Sequence, residues 1–468
     1  MLLVFLYGWS VTNTDTYAGL PKALAKNAPS NLKISIKHLY LGKYISFSDE
    51  VNVDDIAHGM QYAINTEILP KLAAGERFAC ITHSTGGPVV RKWIDLFYKD
   101  KLDTCPLQHF VMLAPANHGS ALAQLGKGRL SRMKFYAEGL QPGTGVLDWL
   151  ELGSDQSWAL NLSWLNYNCV DAGLYSFVLA GQFIDRSFYD YLNSYTGEVG
   201  SDGVVRSAAA NMNYGLIRLN QLKGDLKLEK VKTTEKFAFG ILPGLSHSGN
   251  DLGIMRSVKA DDDASHPTVL WVLRCLACDS KLSYKKLIKD LSDLTRKTQK
   301  SEREIKTKEI FLLERKFMMN RYCMLVFKIM DDRQNQLVDY DVIFTAGPGY
   351  NENHLPPGFF VDRQRNQFNA GKLTYYIDYD AMSDWFAKPM LDGKFGFKIA
   401  ARPSAGYAFY TVAEHRGIFA DLEKYLEPNQ TLMIEIRLKR HVVEGVFRLT
   451  NNLEAKDLKK QPKGKELP

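Results

Sequence analysis

The chain has 468 residues, 45% of them hydrophobic and 24% charged, and a net charge of +7. That length fits one large domain joined to a smaller one, with enough apolar material for a packed core. No apolar run reaches the length of a membrane span, six cysteines are too few for a disulfide framework in so long a chain, and no nucleic-acid motif or interleaved basic–aromatic groove accompanies the positive charge.

The opening residues, MLLVFLYGW, have no basic flank, too short an apolar run and no small-residue cleavage site. They read as a buried first strand, Leu2 to Tyr7, and not as a secretory signal. The expectation is a protein made in the cytoplasm and, if it works elsewhere, carried out by a dedicated secretion system. Leu20 to Ala28 read as a short helix with Pro21 in its first turn, and Leu32 to Leu41 as a strand. Asp54 is placed to N-cap a helix carrying Ile56, Met60, Ile64 and Leu72, which Pro70 must kink or end.

Arg77 to Phe97 is the segment around which the rest is organised. The apolar run Phe78-Ala79-Cys80-Ile81 fits a buried strand. Thr82 to Gly87 make a tight turn, and Val89, Val90, Trp93, Ile94 and Phe97 then recur at helical spacing. A strand, a sharp turn and a helix with Ser84 at the apex form a nucleophile elbow. The turn projects the hydroxyl away from the backbone, and the helix aims its positive end at an oxyanion formed by attack on a carbonyl. Strand and helix pass closely two residues either side of the serine, where this chain has Thr82 and Gly86.

After the elbow come short apolar runs at His109 to Leu113, Tyr175 to Gly181 and Phe237 to Leu242. Strands alternating with helices, apolar throughout, argue a parallel, doubly wound sheet buried on both faces. Asp202 follows the strand at 175–181 within GEVGSDGVV. His247 lies just beyond the strand at 237–242, between Ser246 and Ser248. Ser84, Asp202 and His247 thus occur in the nucleophile–acid–base order of this fold, each soon after an apolar run. Asp171 and Asp185 are weaker substitutes for the acid, and His266, which follows an acidic loop, is a weaker one for the base.

The segment His83-Ser84-x-Gly86-Gly87, with a small residue at position 82, resembles the α/β-hydrolase lipases: bacterial lipases and the lecithin–cholesterol acyltransferase-like and PGAP1-like groups. The resemblance covers about the first 275 residues in pieces. It implies that the backbone N–H groups of Trp9, in the turn after the first strand, and Thr85 form the oxyanion hole. It places the catalytic acid in the Asp202-Gly203 loop. It sets His118, in Pro115-Ala116-Asn117-His118-Gly119-Ser120, near the nucleophile, shaping the site or lining the pocket, although a plain turn histidine fits equally. An insertion at 119–168, rich in Trp and Leu, stands where lipases carry a cap, so Trp149 and Trp158 are expected to contact acyl chains; two ordinary core helices are the alternative.

Composition shifts after Cys278. Lys281 to Lys316 hold twelve Lys/Arg against six Asp/Glu, which reads as a solvated linker helix or a face for anionic headgroups. Strand-like segments divided by Gly, Pro and Asn turns follow. The expected organisation is an α/β-hydrolase catalytic domain at 1–278 with a helical cap, a basic helical linker at 279–318, a β-rich, sandwich-like domain at 319–450 and a disordered tail at 451–468. No cofactor and no metal site is expected: Cys275-x-x-Cys278 lacks a second pair. Asp339/Asp341 and Asp378/Asp380 are read as alternating strand carboxylates ahead of calcium ligands.

These residues point to a serine carboxylester hydrolase, a lipase or phospholipase, meeting its lipid substrate at a membrane surface. Lipase toxins delivered by type VI secretion share this outline, and the resemblance extends to a cognate immunity or delivery protein as partner. An acyltransferase with the same triad, or a non-enzymatic lipid- or protein-binding module with a vestigial site, are the alternatives.

Overall fold

The computed structural model describes residues 1–7, 16–40, 49–126, 143–184, 198–308 and 314–444. Trp9, Asp185 and the tail at 451–468 lie outside them.

Six strands form the first sheet: β1 (Leu2–Tyr7), β2 (Ser35–Tyr40), β3 (Phe78–His83), β4 (Leu107–Leu113), β5 (Tyr175–Ala180) and β8 (Ala238–Ile241). Their order is β2-β1-β3-β4-β5-β8, and every neighbouring pair is parallel. The period-two alternation of strand side chains divides their residues between two cores. Leu2, Val4, Leu6, Phe78, Cys80, Phe110 and Met112 face helices Val53–Ala63 and Gly86–Tyr98. Leu3, Phe5, Ala79, Ile81, Val111 and Leu113 face helices Leu20–Asn27, Pro267–Leu276 and Lys281–Ser301. Burial on both faces is why these runs are apolar without alternation in the sequence. The fold is an α/β-hydrolase.

Asn52, and not Asp54, caps the helix at 53–63. Its Oδ1 accepts the N–H groups of Asp54 (2.8 Å) and Asp55 (3.1 Å), while Asp55 Oδ2 accepts the Asn52 N–H at 3.0 Å. This reciprocal pair satisfies three donors, which a cap two residues later cannot do. Pro70 stands in the short turn Leu69–Lys71 where the helical run ends.

Among the described residues, the second sheet has nine strands, in the order Tyr340–Ala346, Lys394–Ala401, Ala413–Ile418, Asp225–Thr233, Tyr214–Leu222, Thr431–Leu438, Tyr322–Asp331, Lys372–Asp378 and Phe360–Arg365. Two of them, β6 (Tyr214–Leu222) and β7 (Asp225–Thr233), come from within the first 278 residues. The others are β11 (Tyr322–Asp331), β12 (Tyr340–Ala346), β13 (Phe360–Arg365), β14 (Lys372–Asp378), β15 (Lys394–Ala401), β17 (Ala413–Ile418) and β18 (Thr431–Leu438). Strand β6 lies between its hairpin partner and β18, parallel to the latter. The boundary at 278 therefore does not divide the chain structurally: the hairpin belongs to the second sheet. That sheet curls until its ends meet. Phe344 on β12 lies 5.2 Å from Phe360 on β13 and 5.0 Å from Tyr375 on β14, ring to ring. The β-rich domain is thus one sheet folded over its own aromatic core.

One face of this sheet shares the hydrolase core. Tyr322, Met324, Val326, Tyr376 and Met433 pack in the same cluster as Trp149, Trp158 and Trp164. Alternating residues Cys323, Leu325, Phe327, Tyr375 and Ile434 fill the curl. The basic helix Lys281–Ser301 is equally integrated: Tyr284, Leu287 and Leu291 are buried, and Tyr284 Oη donates to Ser176 O at 2.6 Å. It is an amphipathic helix laid on the first sheet, with its lysines on the outer side.

Candidate active site

Ser84 has φ of +51°, a left-handed conformation that costs free energy in a residue with a Cβ and is kept where surrounding contacts fix it. Ser84 N–H donates to Leu113 O at 3.0 Å, and Ser84 O accepts from Gly87 and Ala116, each at 3.3 Å. The close approach two residues either side is present. A Cβ built on Gly86 would lie 3.0 Å from Thr82 Cβ, and one on Gly87 would lie 2.7 Å from Pro115 Cβ. Helix Gly86–Tyr98 begins immediately after Thr85. Among the described residues, the Thr85 N–H donates to no backbone carbonyl and lies at the positive end of the helix. Trp9, the other expected donor, lies outside the described residues.

Asp202 is held by its own turn. Its Oδ1 accepts the N–H groups of Val204 (3.0 Å) and Val205 (2.8 Å), and Gly203 supplies a φ of +97°. The free oxygen, Oδ2, lies 2.9 Å from His247 Nδ1. The His247 N–H also donates to Asp202 O at 2.9 Å, so backbone and side chain of the two residues are joined together. Asp202 and His247 are 1% and 5% exposed, which shields the pair from competing water. With Nδ1–H donating to the carboxylate, Nε2 is the nitrogen left to accept a proton.

His83, next to the nucleophile, backs the pair. Its Nε2 lies 3.2 Å from His247 O, and the two rings are 4.6 Å apart. Burial, and then the neighbouring His247, holds the His83 imidazole well below the ordinary histidine range. A neutral ring facing a carbonyl, which only accepts, carries its proton on Nε2. Ser84 is next to His83 in the chain, and His83 contacts His247; no Ser84 Oγ–His247 hydrogen bond is formed in this structure. Catalytic hydrogen bonds are often long in the absence of substrate.

No family profile and no curated protein matches the chain. Solved structures do. Phospholipase PlaB from Legionella pneumophila aligns over 100% of this chain and 99% of its own, with 53% identity and a TM-score of 0.92. The chain belongs to the PlaB phospholipase family. PlaB in complex with thio-NAD aligns over 100% of both chains, with 51% identity and a TM-score of 0.90. A Bacillus licheniformis lipase, BlEst2, aligns at 18% identity over 45% of this chain with a TM-score of 0.32, too remote to argue from.

The side chains of the remaining expected residues of this PlaB-family chain make no hydrogen bond to Asp202 or His247 among the described residues, although the His118 N–H donates to Ala209 O at 2.9 Å in the loop that carries Asp202. His118 is buried against Tyr214, with ring centroids 4.6 Å apart, and its Nδ1 is 3.2 Å from Asn161 Nδ2. Burial, and then the charge of Arg91, pushes its imidazole down to about 3, so it is a neutral interior histidine. Trp149 and Trp158 are 1% and 5% exposed. They pack in the interior, where Lys372 Nζ lies 5.5 Å from the Trp158 ring centroid, and they present no face to an acyl chain. The apolar residues of helices Thr144–Leu150 and Asp155–Trp164 signal burial correctly, but the second sheet covers them and no lipid need do so. Residues 127–142 of the expected cap lie outside the described residues.

Asp171 is exposed and paired with Lys281 at 2.7 Å, and His266 caps the helix at 267–276. Asp339 and Asp341 are both bound by Arg402, Asp380 by Arg321, and Asp378 caps helix Tyr379–Phe386. The D-x-D carboxylates therefore serve the protein itself. Cys275 and Cys278 are buried thiols pushed up by burial. Sequence reasoning gave His83 no role beyond its place in the elbow motif, and did not single out Arg206, Glu198, Asp362 or Tyr376. Of these, Glu198 and Arg206 left a signal: two opposite charges flanking the Asp202 turn in an otherwise small and apolar segment.

Proposed function

We propose that this protein is a phospholipase that cleaves carboxylic ester bonds through Ser84, His247 and Asp202. The single observation that carries the mechanism is the buried Asp202 Oδ2–His247 Nδ1 contact of 2.9 Å beside a serine at positive φ. Family membership at 53% identity over the full chain carries the substrate class.

In this reading, Ser84 Oγ attacks the ester carbonyl as His247 Nε2 takes its proton. The Thr85 N–H, with the proposed Trp9 N–H, holds the developing oxyanion. His247 then gives the proton to the leaving alcohol, and water repeats the sequence on the acyl-enzyme. Asp202 fixes the tautomer and stabilises the charged imidazole. The reaction consumes one water and needs no metal or cofactor electrons.

The test is incubation with defined phospholipid vesicles and analysis for free fatty acid and lysophospholipid, for the native chain and for Ser84→Ala. Products from the native chain alone support the proposal; equal products from both refute it. Adding a lipid alcohol separates hydrolysis from acyl transfer, since a transferase yields the new ester. The same outline supports delivery as an antibacterial effector with a neutralising partner. Its test is growth arrest of a bacterium that exports the native chain, absent for Ser84→Ala.

A further inference from the structure

The loop that carries Asp202 is fastened both to the hydrolase segment 117–120, where Ser120 Oγ donates to Val204 O at 2.6 Å, the His118 N–H to Ala209 O at 2.9 Å and Asn117 Nδ2 to Ala210 O at 2.8 Å, and to the second sheet. Arg206, four residues beyond the acid, is 2% exposed, large and charged, and its buried charge is compensated by two carboxylates through Nε and Nη2, while Nη1 has no hydrogen-bond partner among the described residues. Its Nε and Nη2 donate to the two oxygens of Glu198, each at 2.8 Å, which closes the loop on itself. Nη2 also donates to Asp362 Oδ2 on β13 at 2.5 Å, and the guanidinium carbon lies 4.2 Å from the Tyr376 ring centroid on β14.

Tyr376 makes a second attachment, donating from Oη to Val199 O at 3.0 Å. Gly200, at φ of +78°, lies so close beneath these rings that a Cβ there would sit 2.3 Å from Tyr376 Oη and 2.4 Å from Tyr322 Cδ2. Further along, Thr431 Oγ1 on β18 donates to Ala208 O at 2.8 Å. The acid turn is thus gripped by β13, β14 and β18 as well as by residues 117–120, while its own oxygens point into their hydrogen bonds with Val204, Val205 and His247.

We infer that Arg206, Asp362 and Tyr376 are positioning residues for the hydrolysis, and that the β-rich domain acts on catalysis by fixing Asp202 against His247. The inference rests on the reading of Asp202 as the catalytic acid. None of the three touches the reacting atoms; each acts through the acid. Loosening the grip lets the Asp202 turn shift relative to His247. The chemical step slows, while the binding of a short ester stays the same.

The test is a double-mutant cycle on the full-length protein with a short p-nitrophenyl ester. Asp362→Ala in the native background is expected to lower kcat roughly 10-fold or more with KM within about twofold. In the Asp202→Asn background the same substitution is expected to change the residual rate by less than about twofold, because the group it positions is already lost. Tyr376→Phe keeps the ring under Arg206 and removes only the Val199 bond. It is expected to show the same dependence on background at smaller size, and it carries the cycle if Asp362→Ala does not yield folded protein. Equal factors in both backgrounds, or no effect on kcat in the native background, overturn the inference. An Asp202→Asn protein with near-native activity removes the acid assignment itself, a separate outcome.

Discussion

The elbow departs from the G-x-S-x-G pattern by carrying Thr82 where glycine is usual, and the structure shows what compensates. A Cβ on residue 86 would meet Thr82 Cβ at 3.0 Å, Cγ2 at 3.5 Å and Oγ1 at 3.9 Å. Ordinary carbon–carbon contacts lie at about 3.5 to 4.0 Å, so Gly86→Ala forces a displacement of about half an ångström between strand and helix. Ser84 is the residue between them, and its +51° φ leaves little freedom to absorb the shift. Overpacking of this kind costs ~1–3 kcal/mol, against up to ~1 kcal/mol gained from alanine in a helix. The prediction is that Gly86→Ala slows labelling of Ser84 by a fluorophosphonate about 10-fold. Thr82→Gly alone should stay within about threefold of the native rate, because it opens space the elbow does not need. The double substitution moves the glycine to the other side and should return to within about threefold of native. That pattern is a coupling of about 1.4 kcal/mol, outside the spread expected of independent sites. Labelling rates that simply multiply, so that the double variant is as slow as Gly86→Ala, would refute the argument that these two positions share one space.

Asp202→Asn should lower kcat by about 10⁴-fold and add nothing to Ser84→Ala, because the groups act as one unit; this is read from steady-state kinetics of the single and double variants. Trp158→Ser should lower the melting temperature, as expected for an interior aromatic worth ~3–5 kcal/mol, and should depress the rates on vesicles and on a soluble ester alike; selective loss on vesicles would return it to the substrate surface. The His118 imidazole is held down to about 3 by burial and then by Arg91, against 6.5 in the unfolded chain. The folded state refuses a proton that the unfolded chain accepts below pH 6.5, so stability falls as pH drops through that window, by up to ~1.4 kcal/mol per pH unit; His118→Gln should have a shallower acid slope in denaturant midpoints measured from pH 7 to 4. A chain cut near Lys300 loses β11, β14 and β18, leaves β6 unpaired on one side and exposes Trp158; it should be insoluble or inactive, as fractionation and esterase assay would show.

The hydrolase half was legible because its chemistry is local. Ser84, Asp202 and His247 each follow an apolar run, and the ends of parallel strands converge at one edge of the sheet, so order along the chain was enough to propose them as one group; the structure joins Asp202 to His247 and sets His83, the neighbour of Ser84, against His247. The positive φ at Ser84 and the Thr82–Gly86 approach follow from the same short segment. What stayed hidden depends on partners distant in sequence. The stretch YGLIRLNQL has strand character, but its neighbour β18 lies more than two hundred residues further on, and no local period reports that. The Trp149–Leu165 segment is apolar enough to be covered by something, and hydrophobicity does not say whether protein or lipid does it. In the helix at 281–301 the apolar residues Leu287, Ile288, Leu291 and Leu294 were visible at helical spacing, while the surrounding lysines drew attention to the solvent side. The existence of the C-terminal strands was readable from their alternation and turns; their joining into one curled sheet was not, because pairing is a property of contacts and not of strands.

The path of the chain between the acid and the base explains why the second sheet matters to the site. Asp202 is followed by Arg206 and the short turn at 207–210, then by β6 and β7, and only then by β8, whose exit carries His247. The hairpin of β6 and β7 is therefore an excursion into the second sheet, where β6 is inserted next to β18, before the chain returns to the first sheet in β8. Its two ends are pinned at the base. Asn213 Nδ2 donates to Phe237 O at 3.0 Å, and Phe237 N–H donates to Asn213 Oδ1 at 2.9 Å, so entry and exit are joined by one side chain. From that pin the chain runs back to the acid and forward to the base, which meet again at Asp202 Oδ2 and His247 Nδ1. The acid arm is tied to β13, β14 and β18. The base arm is tied to the exit of β5 through the Phe183 N–H to Leu245 O bond of 3.0 Å. The arm that carries Asp202 thus has ties to the second sheet, the arm that carries His247 has ties to the first, and the 2.9 Å contact between Asp202 Oδ2 and His247 Nδ1 joins the two.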